Sequence, residues 1–153
     1  SEMNKFWKSL VLFYNKRADE AYKFISDCVK EPARDSWTQL SIFLKYVIKG
    51  EKDKLHLIMN PDFVRIQQLD PQSSYLISAL YSHLDEKEES LKWLEISSGG
   101  GFNNYPFMNE LDPLLANIRG DERFKKLMKR VKQIWESYEV YCNIGTNISD
   151  RSE

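Results

Sequence analysis

The sequence predicts an all-α fold, a stack of antiparallel helix hairpins closed by a C-terminal capping helix. Three observations predict it. Apolar residues recur at steps of three and four along almost the whole chain. No stretch of four or more residues shows the clean apolar/polar alternation of a half-buried strand. The second helices of successive hairpins also superimpose at a fixed spacing, with Ala21, Leu55 and Ser90 falling 34 and 35 positions apart.

Taken in order, residues 3 to 15 place Phe6, Leu10, Phe13 and Tyr14 along one side of a helix, and residues 18 to 30 do the same with Ala18, Ala21, Tyr22, Ile25, Cys28 and Val29. The short joint between them makes a hairpin. After Pro32, residues 35 to 49 align Trp37, Leu40, Leu44, Val47 and Ile48, and Gly50 is a natural helix stop. Leu55, Ile58 and Met59 start a fourth helix that Asn60 and Pro61 interrupt before Phe63, Ile66 and Leu69 resume it. Residues 72 to 84, with Leu76, Ile77, Leu80, Tyr81 and Leu84, and residues 86 to 98, with Leu91, Trp93, Leu94 and Ile96, form a third hairpin. Gly99, Gly100 and Gly101 end it. A loop with short helical pieces then leads to a helix capped by Asp121, whose apolar stripe runs from Phe124 through Leu127, Met128, Val131, Ile134 and Trp135 to Tyr138. The expected organisation is one domain over residues 3–142. Its units span 3–33, 35–69 and 72–98, followed by a loop over 99–120, a capping helix over 121–140 and a flexible polar tail over 143–153.

A chain that is 42% hydrophobic and 29% charged can bury a core, so disorder is expected only at its ends. Its net charge of -1 supplies no field that would gather nucleic acid or anionic lipid. No apolar run approaches the roughly 18 to 20 residues that cross a bilayer. Cys28 and Cys142 lack the spacing of a metal or redox pair and read as free thiols in a reducing, cytoplasmic compartment. The expected partners therefore include neither nucleic acid nor membrane. Ser1 and Glu2 ahead of Met3 leave open that a further segment precedes this one.

No catalytic constellation is read from the residues, and no cofactor or metal is expected. His56 and His83 have no second imidazole or thiol at ligand spacing. The carboxylates at Asp85, Glu86, Glu88 and Glu89 sit at a helix start, where negative charge complements free N–H groups. The triple glycine lacks the Lys-Ser or Lys-Thr pair of a phosphate loop. Arg123, Lys125, Lys126, Lys129, Arg130 and Lys132 read as the solvated face opposite an apolar stripe, with phosphates or an acidic protein patch as the alternative partner. Asn147-Ile148-Ser149 fits a glycosylation sequon that matters only in a secreted eukaryotic protein.

The residues from Tyr75 to Leu84 and from Glu89 to Glu95, together with the 34- to 35-residue period, resemble a tetratricopeptide repeat. The segment from Gly101 through Asp112-Pro113-Leu114-Leu115 to Arg119-Gly120-Asp121-Glu122-Arg123-Phe124 is similar to the closing segment of many bacterial tetratricopeptide proteins. The resemblance covers about residues 5 to 140 and is carried mainly by 72 to 136. Lys8, Phe43, Leu55 and Asp62 depart from the pattern, so an irregular helical bundle remains the alternative for the first 70 residues. The resemblance implies a right-handed TPR-like solenoid that binds a protein or peptide without catalysis. In its frame the first helix of each pair lines a groove, with Leu40, Leu44, Val47 and Ile48 from the second unit and Tyr75, Ala79, Ser82 and His83 from the third. It also implies a regulatory arm of a larger bacterial signalling or transcription-regulating protein as a second reading. Homo-oligomerisation through Phe6, Trp7 and Phe13 is the third.

Overall fold

The structure, a computed structural model, describes the backbone of residues 1–149 and the side chains of residues 1–138. It is all-helical, with no strand among the described residues. Helix α1 spans Glu2–Tyr14, α2 Ala18–Cys28 and α3 Ser36–Lys49. A 3-10 turn, Lys52–Leu57, and the short α4, Pro61–Gln68, follow before α5, Pro71–His83, and α6, Lys87–Gly99. The last helix, α7, runs over Glu122–Ser149.

Each boundary has a local cause. Asp35 opens α3 by accepting hydrogen bonds from the Trp37 and Thr38 amides, both at 3.0 Å, and Gly50 closes it in the left-handed conformation at φ 67°. Asn60 caps Phe63 and Pro61 takes the first position of α4, where a missing N–H costs nothing. This restart splits the second element of the second unit, as the Asn60-Pro61 pair predicts. Asp70 and Pro71 start α5 in the same manner. Asp121 accepts from the Arg123 amide at 2.8 Å at the start of α7.

The helices pack as hairpins that share one core. Helices α1, α2 and α3 pack against one another, α5 against α6, and α3 and α4 against α5. At the α5–α6 contact Ser78 and Ser90 exchange hydrogen bonds, Ser78 Oγ donating to the Ser90 carbonyl at 2.7 Å and Ser90 Oγ to the Ser78 carbonyl at 2.9 Å. Small side chains let the two backbones approach, and the exchange leaves neither hydroxyl stranded. Phe43 of α3 meets Tyr81 of α5 edge-on at 5.4 Å.

Helix α5 is the centre of the molecule. Every residue from Ser73 to Ser82 is buried, so no side of this stretch faces water. Two more of its serine hydroxyls find local acceptors: Ser73 donates to Asp70 and Ser74 to the Gln67 carbonyl, each at 2.9 Å. The segment between α6 and α7 supplies part of the cover, burying Met108, Leu114, Leu115 and Ile118. Arg119 ties this segment down by donating to the backbone carbonyls of Asn109 at 2.8 Å and Asp112 at 2.5 Å. Asn117 reaches the Ser82 carbonyl at 2.9 Å.

Two expectations about the ends need correction. The apolar stripe of α7 is buried only from Phe124 to Val131; Ile134 and Trp135 are half-buried and Tyr138 is 57% exposed, because α6 offers no further surface. The helix also continues to Ser149, through residues that the polar composition assigns to a tail. Residues 150–153 of that tail, and the side chains of Cys142 and of the Asn147 sequon, lie outside what the structure describes. Cys28 is a free thiol.

Candidate functional site

An apolar groove of about 310 Å³ opens between α1, the first turns of α5 and the segment that follows α6. Helix α1 contributes Trp7, Leu10, Val11 and Tyr14 at steps of three and four, one helical stripe. From α5 come Tyr75 and Leu76, and Phe102 and Phe107 close the far wall. The amides of Asn15 and Gln72 stand at the polar rim. Val11 is 57% exposed, an apolar side chain left open at the mouth.

The groove is held by a buried carboxylate. Asp112, fully buried, accepts from Tyr75 Oη at 2.5 Å and from Tyr14 Oη at 3.1 Å on the same oxygen, while its other oxygen accepts the Leu114 amide at 3.0 Å. A buried charge is tolerable when several donors surround it. Burial, followed by the Asp112 charge, pushes both tyrosine hydroxyls far above their ordinary range, so both remain neutral donors. The Tyr75 ring is stacked by Phe102, with centroids 4.6 Å apart and planes at 30°, and met by Phe107 at 5.9 Å. One end of the chain is thereby fastened to the closing segment through the central helix.

The eight positions expected to face a groove fare differently. Leu40, Leu44, Ala79 and Ser82 are buried, and Tyr75 is 2% exposed with its hydroxyl committed to Asp112. They cannot serve as an open contact surface, because α5 is covered on every side and α3 turns Leu40 and Leu44 into the core. Val47 is buried with them and Ile48 half-buried. Only His83 is exposed, and it sits edge-on against the Phe13 ring at 5.0 Å; partial burial lowers its pKa. Of the eight, Tyr75 alone lines the apolar groove. The proposed self-association face is corrected in part as well, since Phe6 and Phe13 are core residues and only Trp7 remains half-open.

Sequence reasoning missed Val11, Phe102 and Phe107, and missed Tyr14 and Asp112 as a pair. The density of aromatics between Phe102 and Phe107 was the available signal. His56 and His83 are not brought together with other ligands: among the described residues no group of three or more His, Cys, Asp or Glu could hold a metal ion. No described helix is long and apolar enough to cross a membrane.

Comparison with protein-family models, with curated proteins and with solved structures finds no match to this chain.

Proposed function

We propose that this chain is a non-catalytic protein-interaction module, a TPR-like stack of hairpins that holds an apolar anchor of a partner peptide or helix. The observation that carries the reading is the groove between α1 and α5, an apolar, aromatic-walled concavity with two primary amides at its rim. Such a site buries one or two large apolar side chains and offers the amides to the partner's backbone, the usual division between affinity and register. The Tyr14–Asp112–Tyr75 network supports it by fixing both walls, so binding spends little on ordering the site.

The repeat reading draws its support from the 34- and 35-residue spacing of Ala21, Leu55 and Ser90, all three of which are buried. The free Cys28 is consistent with a reducing, cytoplasmic setting. The contact surface proposed here is the α1–α5 groove, in place of the buried faces of α3 and α5.

Peptide display selected on the wild-type chain alone, with the selected peptides then measured on both the wild type and Val11→Glu, tests the proposal. Val11 is exposed, so the substitution alters the groove mouth without touching the core. Selected peptides should share a large apolar residue and lose binding to the variant. Peptides that bind both proteins equally would remove the groove from the account.

A further inference from the structure

Helix α7 outruns its support. It lies parallel to α6, and two ion pairs fix the register: Glu88 meets Arg123, 35 positions further on, at 2.8 Å, and Glu95 meets Arg130 at the same spacing and 3.7 Å. That register sets Gly99, the last residue of α6, level with Ile134, while α7 runs on to Ser149. From there Ile134 and Trp135 are half-buried and Tyr138 is 57% exposed, and the three continue the Val131 edge of the helix at steps of three and four. A helical run of about 15 residues is marginal on its own in water, so an apolar edge on such a run needs a surface to lie on.

The groove between α1 and α5 is a surface of matching chemistry. No residue lining it carries a charge, and its open side chains, Trp7, Val11, Tyr14, Phe102 and Phe107, are apolar or aromatic. The stretch from Ile134 to Tyr138 holds a single charge, Glu136, which helical spacing puts on the side away from the apolar edge and which pairs with Lys132 at 3.8 Å. Laying the edge in the groove therefore buries no lone charge. The two features are also neighbours. Lys132 Nζ stands 5.8 Å from the centre of the Tyr105 ring, and Tyr105 falls between the groove residues Phe102 and Phe107, so α7 leaves the body beside the groove's far wall. A continuous helix cannot turn back into the groove of its own chain.

We propose that the occupant of the α1–α5 groove is a second copy of this chain, whose Ile134, Trp135 and Tyr138 supply the apolar anchor. The proposal rests on the reading of that groove as a contact site and names its partner. Two copies that exchange their overhanging helices close the contact on itself, leaving neither edge nor groove open. The recognition is helix-in-groove, with Trp135 and Tyr138 as the large side chains such sites favour.

Analytical ultracentrifugation of the full chain from about 1 to 100 µM tests this. The wild type should pass from monomer to twice that mass across the range. Val11→Glu, which charges the groove mouth, and Trp135→Ala with Tyr138→Ala, which strips the edge, should each stay monomeric, with circular dichroism checking that both keep the fold. Mixed in equal amounts, these two proteins should pair one to one, because one retains the edge and the other the groove. A monomeric wild type, association that survives either variant, or variants that stay apart on mixing would each overturn the proposal. Display-selected peptides that distinguish Val11→Glu from a monomeric wild type would keep the groove as a contact site and remove the second copy as its occupant, whereas failure of both experiments would remove the groove as well.

Discussion

Tyr75 Oη lies 2.5 Å from Asp112 Oδ2, and Tyr14 donates to the same oxygen from a position 98 residues away in the chain. Removing the shorter bond should cost more than removing the longer one. Tyr75→Phe is expected to destabilise the fold by about 1–3 kcal/mol, since it strips a donor from a buried charge, and Tyr14→Phe by about 0.5–1.5 kcal/mol. Urea unfolding of both variants checks the order. A larger loss for Tyr14→Phe would mean that the two hydroxyls do not divide the carboxylate as their distances indicate.

The three consecutive glycines should respond differently to alanine. At Gly100 a new Cβ would meet Pro71 Cγ at 2.8 Å, and neither the proline ring nor the helix end can yield easily. Gly101 adopts φ 113°, which alanine resists. Gly99 ends α6 with nothing within 4 Å of an added Cβ. Melting temperatures should fall for Gly100→Ala and Gly101→Ala and hold or rise for Gly99→Ala, by about 0.5–1 kcal/mol of stability where alanine is favoured.

Ser78 is the tight point of the α5–α6 hairpin. Ser78→Leu should cost about 1–3 kcal/mol through overpacking, whereas Ser78→Ala should cost about 1 kcal/mol, the reciprocal Ser90 Oγ bond being retained. Thermal unfolding of the two variants separates a steric contribution from a hydrogen-bonding one. Equal losses would remove close approach as the reason for serine there.

Asp121 should leave a signature in acid. The Arg123 side chain and amide hydrogen-bond its carboxylate and lower its pKa to about 2. A folded-state pKa below the unfolded value near 3.9 means that its contribution is present above about pH 4 and lost as the pH falls toward 2. The wild type should therefore exceed Asp121→Asn in melting temperature at pH 5, and that gap should narrow by pH 2 to 3. A gap that does not change with pH would place the effect in the cap hydrogen bond alone.

The helices were legible because their signals are local. Gly50, the Asn60-Pro61 break and the Asp121 cap act within one turn of the positions they control. What could not be read was how α5 is covered. Ser73, Ser74, Ser78 and Ser82 are all buried, and three hydroxyls find acceptors at Asp70, Gln67 and Ser90. Ser82 Oγ finds none. The groove was equally hidden, since Val11, Tyr14, Phe102 and Phe107 meet through contacts that no short-range spacing encodes.

The sheathing of α5 from Ser73 to Ser82 makes this chain indivisible. An array of repeats whose units touch only their neighbours can lose a terminal unit and keep the rest. Here Tyr14 at the end of the first helix and Tyr75 of α5 both donate to Asp112 near the far end of the core, so a cut at either hairpin would bare Phe43, Phe13 or the carboxylate itself. Shortened versions should not stand alone, and the molecule should melt as one.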